Sequence, residues 1–84
     1  MESLIKEIMD RANTWRNRML IKQGKIVEAV TSIKQTLRHY PQVKLPSDFW
    51  TIDFSERIAA RLKRNACRIT IEQVVREIVR EILF

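Results

Sequence analysis

The chain has 84 residues, 45% of them apolar, and its 16 Lys and Arg outnumber its 10 Asp and Glu, for a formal charge of +6. A chain this short forms one domain, because its apolar residues cannot supply two stable cores. The positive charge favours anionic partners, nucleic acid first among them, although a charge of this size also keeps a small domain soluble.

The sequence argues against membrane and secreted proteins. No apolar run approaches the roughly 18 residues of a membrane span, and the N-terminus lacks the pattern of a signal peptide. We therefore expect a soluble, cytoplasmic protein with no membrane partner. The single cysteine, Cys67, has no disulfide partner within the chain, which fits a reducing compartment. It is either a small core residue or a thiol whose pKa is lowered by Arg64 and Arg68.

Groups for catalysis are scarce. The chain has one His, one Cys and one Gly, with no glycine-rich phosphate loop and no pair of carboxylates in an apolar setting. A closed zinc site needs four protein ligands, and His39 with Cys67 supplies two. We expect a protein that is not an enzyme and has no cofactor, metal ion or small-molecule substrate.

Two helices are predicted before Pro41, over residues 3–23 and 25–40. In the first, apolar side chains recur at the three- and four-residue intervals of one helical face, at Ile5, Ile8, Ala12, Trp15 and Met19. Trp15 is expected in the core on this basis. Gly24 is interpreted as a break, but the heptad phase continues to Tyr40, so one continuous helix is the alternative. Pro41 ends the second helix.

Two further helices are predicted over residues 54–66 and 70–83, after an apolar connector of residues 41–52 that contributes to the core. Asp53 with Glu56, and Thr70 with Gln73, have the spacing of a capping box. The last helix has the widest apolar stripe, formed by Ile71, Val74, Val75, Ile78, Val79, Ile82 and Leu83.

The predicted fold is all-α, a small bundle of about four helices that dimerisation could complete. The apolar stripes exceed what a four-helix monomer of this length easily covers, so we expect a homodimer. We assign the dimer interface, or an interface with another partner, to Val75, Val79, Ile82 and Leu83. The same stripe could instead close the intramolecular core.

Two basic regions are candidate nucleic-acid sites. The first comprises Arg57, Arg61, Lys63, Arg64 and Arg68, with no acid between Glu56 and Glu72. Its four arginines have four-three-four spacing and would form one stripe if the helix persists. Guanidinium groups bind phosphate bidentately, and neutralised phosphates release counterions. The alternative is a solvated face without a ligand.

The second basic region runs from Arg11 to Lys25, with no acid until Glu28, and contains Arg11, Arg16, Arg18, Lys22 and Lys25. Arg11, Arg18, Lys22 and Lys25 are expected to share a face. Trp15 lies among them, and its indole could stack on a base.

A helix-turn-helix is the weaker alternative for the last two helices. Residues 58–62 are similar to the start of such a motif, but no Gly marks the turn. Glu72, Glu77 and Glu81 would oppose phosphates, and Glu72 with Arg76 and Glu77 with Arg80 are spaced for local ion pairs.

These patterns support two functional hypotheses. The first is a non-catalytic accessory or regulatory protein that binds nucleic acid through basic helix faces, largely without sequence preference. The second is a protein-interaction module, for helical docking or dimerisation, that regulates an acidic protein partner and uses its arginines for steering.

Overall fold

The computed structural model describes residues 2–65 and 68–83. These residues form five α-helices and no strand, which confirms the all-α class. The helices are α1 (Glu2–Ala12), α2 (Trp15–Lys22), α3 (Ile26–Lys34), α4 (Ile52–Asn65) and α5 (Ile71–Leu83), and a 3₁₀ helix (Gln35–His39) directly follows α3.

The predicted first helix is two helices, so the single helix over residues 3–23 is wrong. Thr14 caps α2 by accepting a hydrogen bond from the backbone N–H of Asn17 at 3.1 Å. The buried amide of Asn17 in turn donates to the carbonyl of Ala12, the last residue of α1, at 2.7 Å. Short polar side chains thus offer the backbone partners outside the helical ladder. The spacing of apolar residues does not reveal this competition for backbone hydrogen bonds.

The break at Gly24 is confirmed. Gly24 has φ +78°, and its N–H donates to the carbonyl of Ile21 at 3.0 Å while the N–H of Lys25 donates to Leu20 at 2.9 Å. This pair of bonds is the Schellman motif, which ends a helix at a left-handed residue. The following helical segment ends at His39, ahead of Pro41, as predicted.

The two predicted capping boxes have different outcomes. At α5 the box is confirmed, because Thr70 Oγ1 accepts from the N–H of Gln73 at 3.2 Å and Gln73 Oε1 accepts from the N–H of Thr70 at 2.8 Å. The cap at Asp53 is wrong, since α4 begins at Ile52 and Asp53 lies within its first turn. The predicted end of that helix at residue 66 lies outside the described residues.

Helix α5 is the centre of the bundle, packing against α1, α2, α3 and α4. Its inner face, which includes Val75 and Val79, is buried in the intramolecular core. The assignment of these two valines to a partner interface is therefore corrected, because the chain's own helices cover them. Of the predicted interface, Ile82 is partly buried and Leu83 remains exposed. This central position also argues against α5 as a recognition helix, which must be free to enter a groove of DNA.

The connector between α3 and α4 contributes to the core as predicted. Phe49 is fully buried and packs edge-on against Phe54, with ring centroids 4.8 Å apart. Trp50 and Ile52 remain exposed at this end of the molecule. Among the helices of residues 2–65 and 68–83, none combines the length and apolar character needed to cross a membrane.

Candidate nucleic-acid interface

Two arginines of α4, Arg57 and Arg61, are engaged with acids. Arg57 Nη2 lies 2.9 Å from Asp48 Oδ2 and 3.3 Å from Glu81 Oε1. Arg61 Nη2 lies 2.6 Å from Glu81 Oε2. The hydrogen bond to Asp48 is the main cause of a raised pKa for Arg57, although desolvation opposes it. Both guanidinium groups thus have intramolecular counter-charges, which lower the positive potential of this face.

The remaining cations of the first basic region diverge from the predicted stripe. Lys63 and Arg64 are exposed in the last turn of α4. Arg68 is exposed three residues beyond Asn65, the last described residue of that helix. The structure therefore separates Arg68 from the α4 face and brings it close to the second basic region.

Helix α2 carries three cations and no acid in eight residues. Asn17 is its buried residue, and Trp15, Arg18 and Lys22 lie on the opposite side at i, i+3 and i+7 spacing. Trp15 is 70% exposed, so the prediction of a core tryptophan is wrong. The reason is the break at Thr14, after which Asn17, and not Trp15, sets the inward face of α2.

The two tryptophans differ in their surroundings. The guanidinium carbon of Arg38 lies 4.4 Å from the ring centroid of Trp50, and Phe49 packs against the same indole at 4.6 Å and 86°. Within the described part of the chain, Trp15 has no comparable aromatic or cation–π contact. Its ring faces are open to a ligand.

A groove of about 670 Å³ lies between the end of α1, helix α2 and the segment that leads into α5. Its floor is apolar, formed by Met9, Ile21, Ile69 and Ile71. All four side chains are partly buried against the core. We call this feature the basic groove because of the cations along its edge.

Cations from both basic regions converge at the basic groove. Arg18 and Lys22 of α2 and Arg68 all line it. A neighbouring depression of about 380 Å³ shares Lys22 and Arg68 and adds Lys63. None of the ion pairs found among the described residues involves these four cations. Segments about 40 residues apart in sequence thus supply one positive surface.

Arg18 is held in place from the α1–α2 junction. Its Nη1 donates to Asn13 Oδ1 at 2.9 Å, with a longer contact of 3.3 Å to the Asn13 carbonyl. One guanidinium nitrogen is thereby tethered, and Nε and Nη2 are left to bind an anion. The asparagine that interrupts the first helix therefore also orients a cation of the groove.

Two acids, Asp10 and Glu72, also line the basic groove. Glu72 accepts a hydrogen bond from Arg76 Nε at 2.9 Å, which confirms the predicted pair. Arg76 also binds Glu2 at 3.0 Å, and these bonds raise the pKa of Arg76 and lower that of Glu2. Asp10 takes part in none of the ion pairs found in the described residues.

Other sequence predictions at these helices fail. The predicted pair of Glu77 with Arg80 is not among the ion pairs of the described residues, and Glu77 Oε1 instead lies 4.0 Å from Arg61 Nε. Arg11 does not share a face with Arg18, because the helix is broken between them and the Arg11 guanidinium lies 5.6 Å from the Tyr40 ring centroid.

Lys25 immediately precedes α3 and is exposed. It therefore does not extend the α2 face either.

The chain matches no protein-family model, and neither the curated proteins nor the solved structures contain a significant match.

Across residues 2–65 and 68–83, no group of three or more His, Cys, Asp and Glu is placed to hold a metal ion. Cys67, which the sequence predicts to be either a small core residue or a thiol of lowered pKa, lies outside the described residues.

Proposed function

We propose that this chain binds nucleic acid, largely without sequence preference, through Arg18 and Lys22 of α2 together with Lys63 and Arg68. The observation that carries the proposal is the convergence of these cations, from both basic regions, at the basic groove and the depression beside it. None of the four takes part in the ion pairs found among the described residues, whereas Arg57 and Arg61 do.

The chemistry of this surface suits a phosphate backbone. Guanidinium groups bind phosphate oxygens through two N–H donors, and lysine ammonium groups act as point charges. Contacts to phosphates release counterions but do not distinguish one base from another. Binding of this kind therefore depends strongly on salt concentration and weakly on base sequence.

The test measures the affinity of the full chain for fluorescently labelled oligonucleotides by anisotropy over a series of salt concentrations. Replacement of Arg18, Lys22, Lys63 or Arg68 by Ala removes one phosphate contact. Each change should lower the magnitude of the slope of log K against log[salt] by about 0.7 to 0.9. The double reversal Arg18→Glu with Lys22→Glu should nearly abolish binding.

Arg57→Ala with Arg61→Ala is the matched control, because it removes two cations whose charges are already balanced by Asp48 and Glu81. We expect its salt slope to equal that of the wild type. A loss of binding in this control would assign the interface to α4. Equal affinity of the wild type and the double reversal, with folding checked by circular dichroism, would refute nucleic-acid binding at this surface.

An acidic protein partner is the second candidate, and the apolar floor of the basic groove favours it. Ile21, Ile69 and their neighbours could receive the apolar side chains of an amphipathic segment while the cations contact its carboxylates. This function predicts weak, non-saturating binding of oligonucleotides that the Arg18 and Lys22 substitutions barely change at physiological salt.

A further inference from the structure

We propose that the nucleic acid bound at the basic groove is single-stranded, with its phosphates on the cations and at least one unstacked base on the apolar floor. This inference rests on the proposed function and names the form of its ligand. It is carried by the floor of the groove, by the open indole of Trp15 and by the position of Asp10.

The apolar floor distinguishes a single strand from a duplex. Ile21 and Ile69 line both the basic groove and the depression beside it, so apolar surface continues between the cations. A duplex presents phosphates and groove edges, and its base faces are stacked on one another away from the protein. A single strand can turn its bases out and bury their faces on apolar or aromatic side chains.

The cations occur on separate elements around this floor. Arg18 and Lys22 project from α2, whereas Arg68 belongs to the segment before α5. The backbone of a flexible single strand can follow cations that lie around a concave surface. The bases of the strand then point toward the centre of that surface. Grooves that bind single strands combine a positive track for the backbone with surfaces on which bases stack.

Trp15 provides a second surface for a base beside the basic groove. It lies one turn before Arg18 on the outward face of α2, is 70% exposed, and has no aromatic or cation–π partner in the described residues. An indole accepts any base, because every base has a π face. A phosphate held by Arg18 would place the adjoining base within reach of Trp15.

Asp10 favours a base over a phosphate within the groove. Its carboxylate lines the same cavity and has no ion-pair partner among the described residues. A carboxylate repels a phosphate group but accepts hydrogen bonds from the amino groups of bases. The strand is therefore oriented with its bases inward and its backbone at the cations.

The experiment compares four ligands of matched charge: a mixed-sequence single strand, the same strand with abasic sites, a duplex of half the length with the same total number of phosphates, and a poly-glutamate chain. We expect the normal strand to bind at least about tenfold more tightly than the abasic strand, the gain from about one stacked base. It should also bind more tightly than the duplex. Poly-glutamate should compete poorly.

Two substitutions test the base contacts directly. Trp15→Ala and Ile69→Ser should each weaken binding of the normal strand and leave the abasic strand unchanged, whereas Trp15→Phe, which keeps an aromatic face, should retain most of the affinity. A Trp50→Phe variant leaves Trp15 as the single tryptophan of the chain. Its fluorescence should be quenched by the normal strand and not by the abasic one.

The outcomes separate this inference from the proposed function. Equal affinity for normal and abasic strands, or tighter binding of the duplex, overturns the single-strand inference and leaves sequence-independent phosphate binding intact. Absence of binding to every oligonucleotide overturns both, and tight competition by poly-glutamate alone assigns the groove to an acidic protein. Circular dichroism of each variant excludes unfolding as the cause.

Discussion

Lys34 is a charged residue whose side chain is buried in the core. Its side chain is 1% exposed, and Nζ donates to the carbonyls of Phe49 at 2.8 Å and Thr51 at 3.1 Å. The same ammonium lies 5.4 Å from the ring centroids of both Phe49 and Phe54. The lysine therefore links the connector to α3. It also provides a hydrogen-bond donor for the buried carbonyl of Phe49.

Lys34→Met tests this contact. Methionine keeps an unbranched apolar side chain, one atom shorter than that of lysine, but cannot donate to the Phe49 carbonyl. We expect the free energy of unfolding in urea to fall by about 1 to 3 kcal/mol. Lys44→Met, at an exposed lysine of the same connector, is the control and should change stability by no more than about 0.5 kcal/mol. Equal stability of both variants would contradict a structural role for Lys34.

The pH dependence of stability gives an independent check on Lys34. Desolvation lowers its pKa in the folded protein, an effect partly offset by Asp48. At a pH between this lowered pKa and the value of about 10.4 for a free lysine, the unfolded chain binds a proton that the folded chain has released. The free energy of unfolding therefore rises with pH across this window.

The stability of the wild type relative to Lys34→Met should thus increase from neutral pH toward pH about 10. The neutral amine still has two N–H groups for its two carbonyl acceptors. Urea titrations of both proteins at matched pH values measure this difference. If the stability of the wild type relative to Lys34→Met fell with pH, the folded protein would stabilise the charged form of Lys34 over the neutral amine.

At the scale of elements, chain breaks decide which surface each helix presents. The junction at Asn13 and Thr14 turns α2 so that Asn17 faces inward and Trp15 faces solvent. The Schellman motif at Gly24 then allows α3 to pack its own apolar face against α4 and α5. A single helix through Thr14 would have kept Trp15 on the same apolar face as Ile8 and Ala12.

Gly24→Ala should destabilise the protein by about 1 kcal/mol, because alanine is strained at φ +78°. An added Cβ would meet no atom within 4 Å, so the cost comes from the backbone alone. Gly24→Asn, a residue that tolerates the left-handed region, should cost less than alanine. Thermal and urea unfolding followed by circular dichroism measure the order, and stabilisation by alanine would contradict it.

Asn17→Ala should cost about 0.5 to 1.5 kcal/mol, since it removes one buried hydrogen bond to the Ala12 carbonyl, which keeps the N–H of Thr14 as a donor at 2.8 Å. The neighbouring exposed change Arg16→Ala serves as the control and should leave stability within about 0.5 kcal/mol. If Asn17 also fixes the angle of α2, its replacement should weaken oligonucleotide binding in a chain that remains folded. Unchanged stability would show that the α1–α2 junction does not depend on this bond.

At the scale of the whole molecule, the inner face of α5 organises the bundle, and the large apolar side chains that stay exposed lie outside this face. The inner face is covered by the chain's own helices, whereas Trp50, Ile52 and Leu83 are exposed. The argument for a homodimer from the α5 stripe therefore no longer holds for Val75 and Val79. Self-association through Ile82 and Leu83 stays a prediction.

Two glutamate substitutions on α5 separate folding from association. Val79→Glu places a charge without a partner in the core and should unfold the chain. Leu83→Glu, at an exposed residue of the same helix, should leave the helical content unchanged. Circular dichroism and sedimentation measure both effects. A folded Val79→Glu protein would contradict the central position of α5, and a fall from dimer to monomer mass in Leu83→Glu would confirm the predicted interface.

Local signals in the sequence determined the helical class, the break at Gly24, the end before Pro41 and the capping box at Thr70. Each depends on residues within one turn of one another, so periodicity and capping chemistry are sufficient to predict it. The break at Thr14 had a local signal too, in Asn13, Thr14 and Asn17. It was missed because the apolar spacing continued through it.

Only the tertiary structure decided which cations are available. Charge patterning placed Arg57 and Arg68 on one stripe, but packing of α4 against α5 pairs Arg57 with Glu81, 24 residues away, and the chain path carries Arg68 to the groove with Lys22. Burial of Lys34 likewise depends on the connector that folds over it. The potential of a surface depends on distances in space, and a single sequence does not contain those distances.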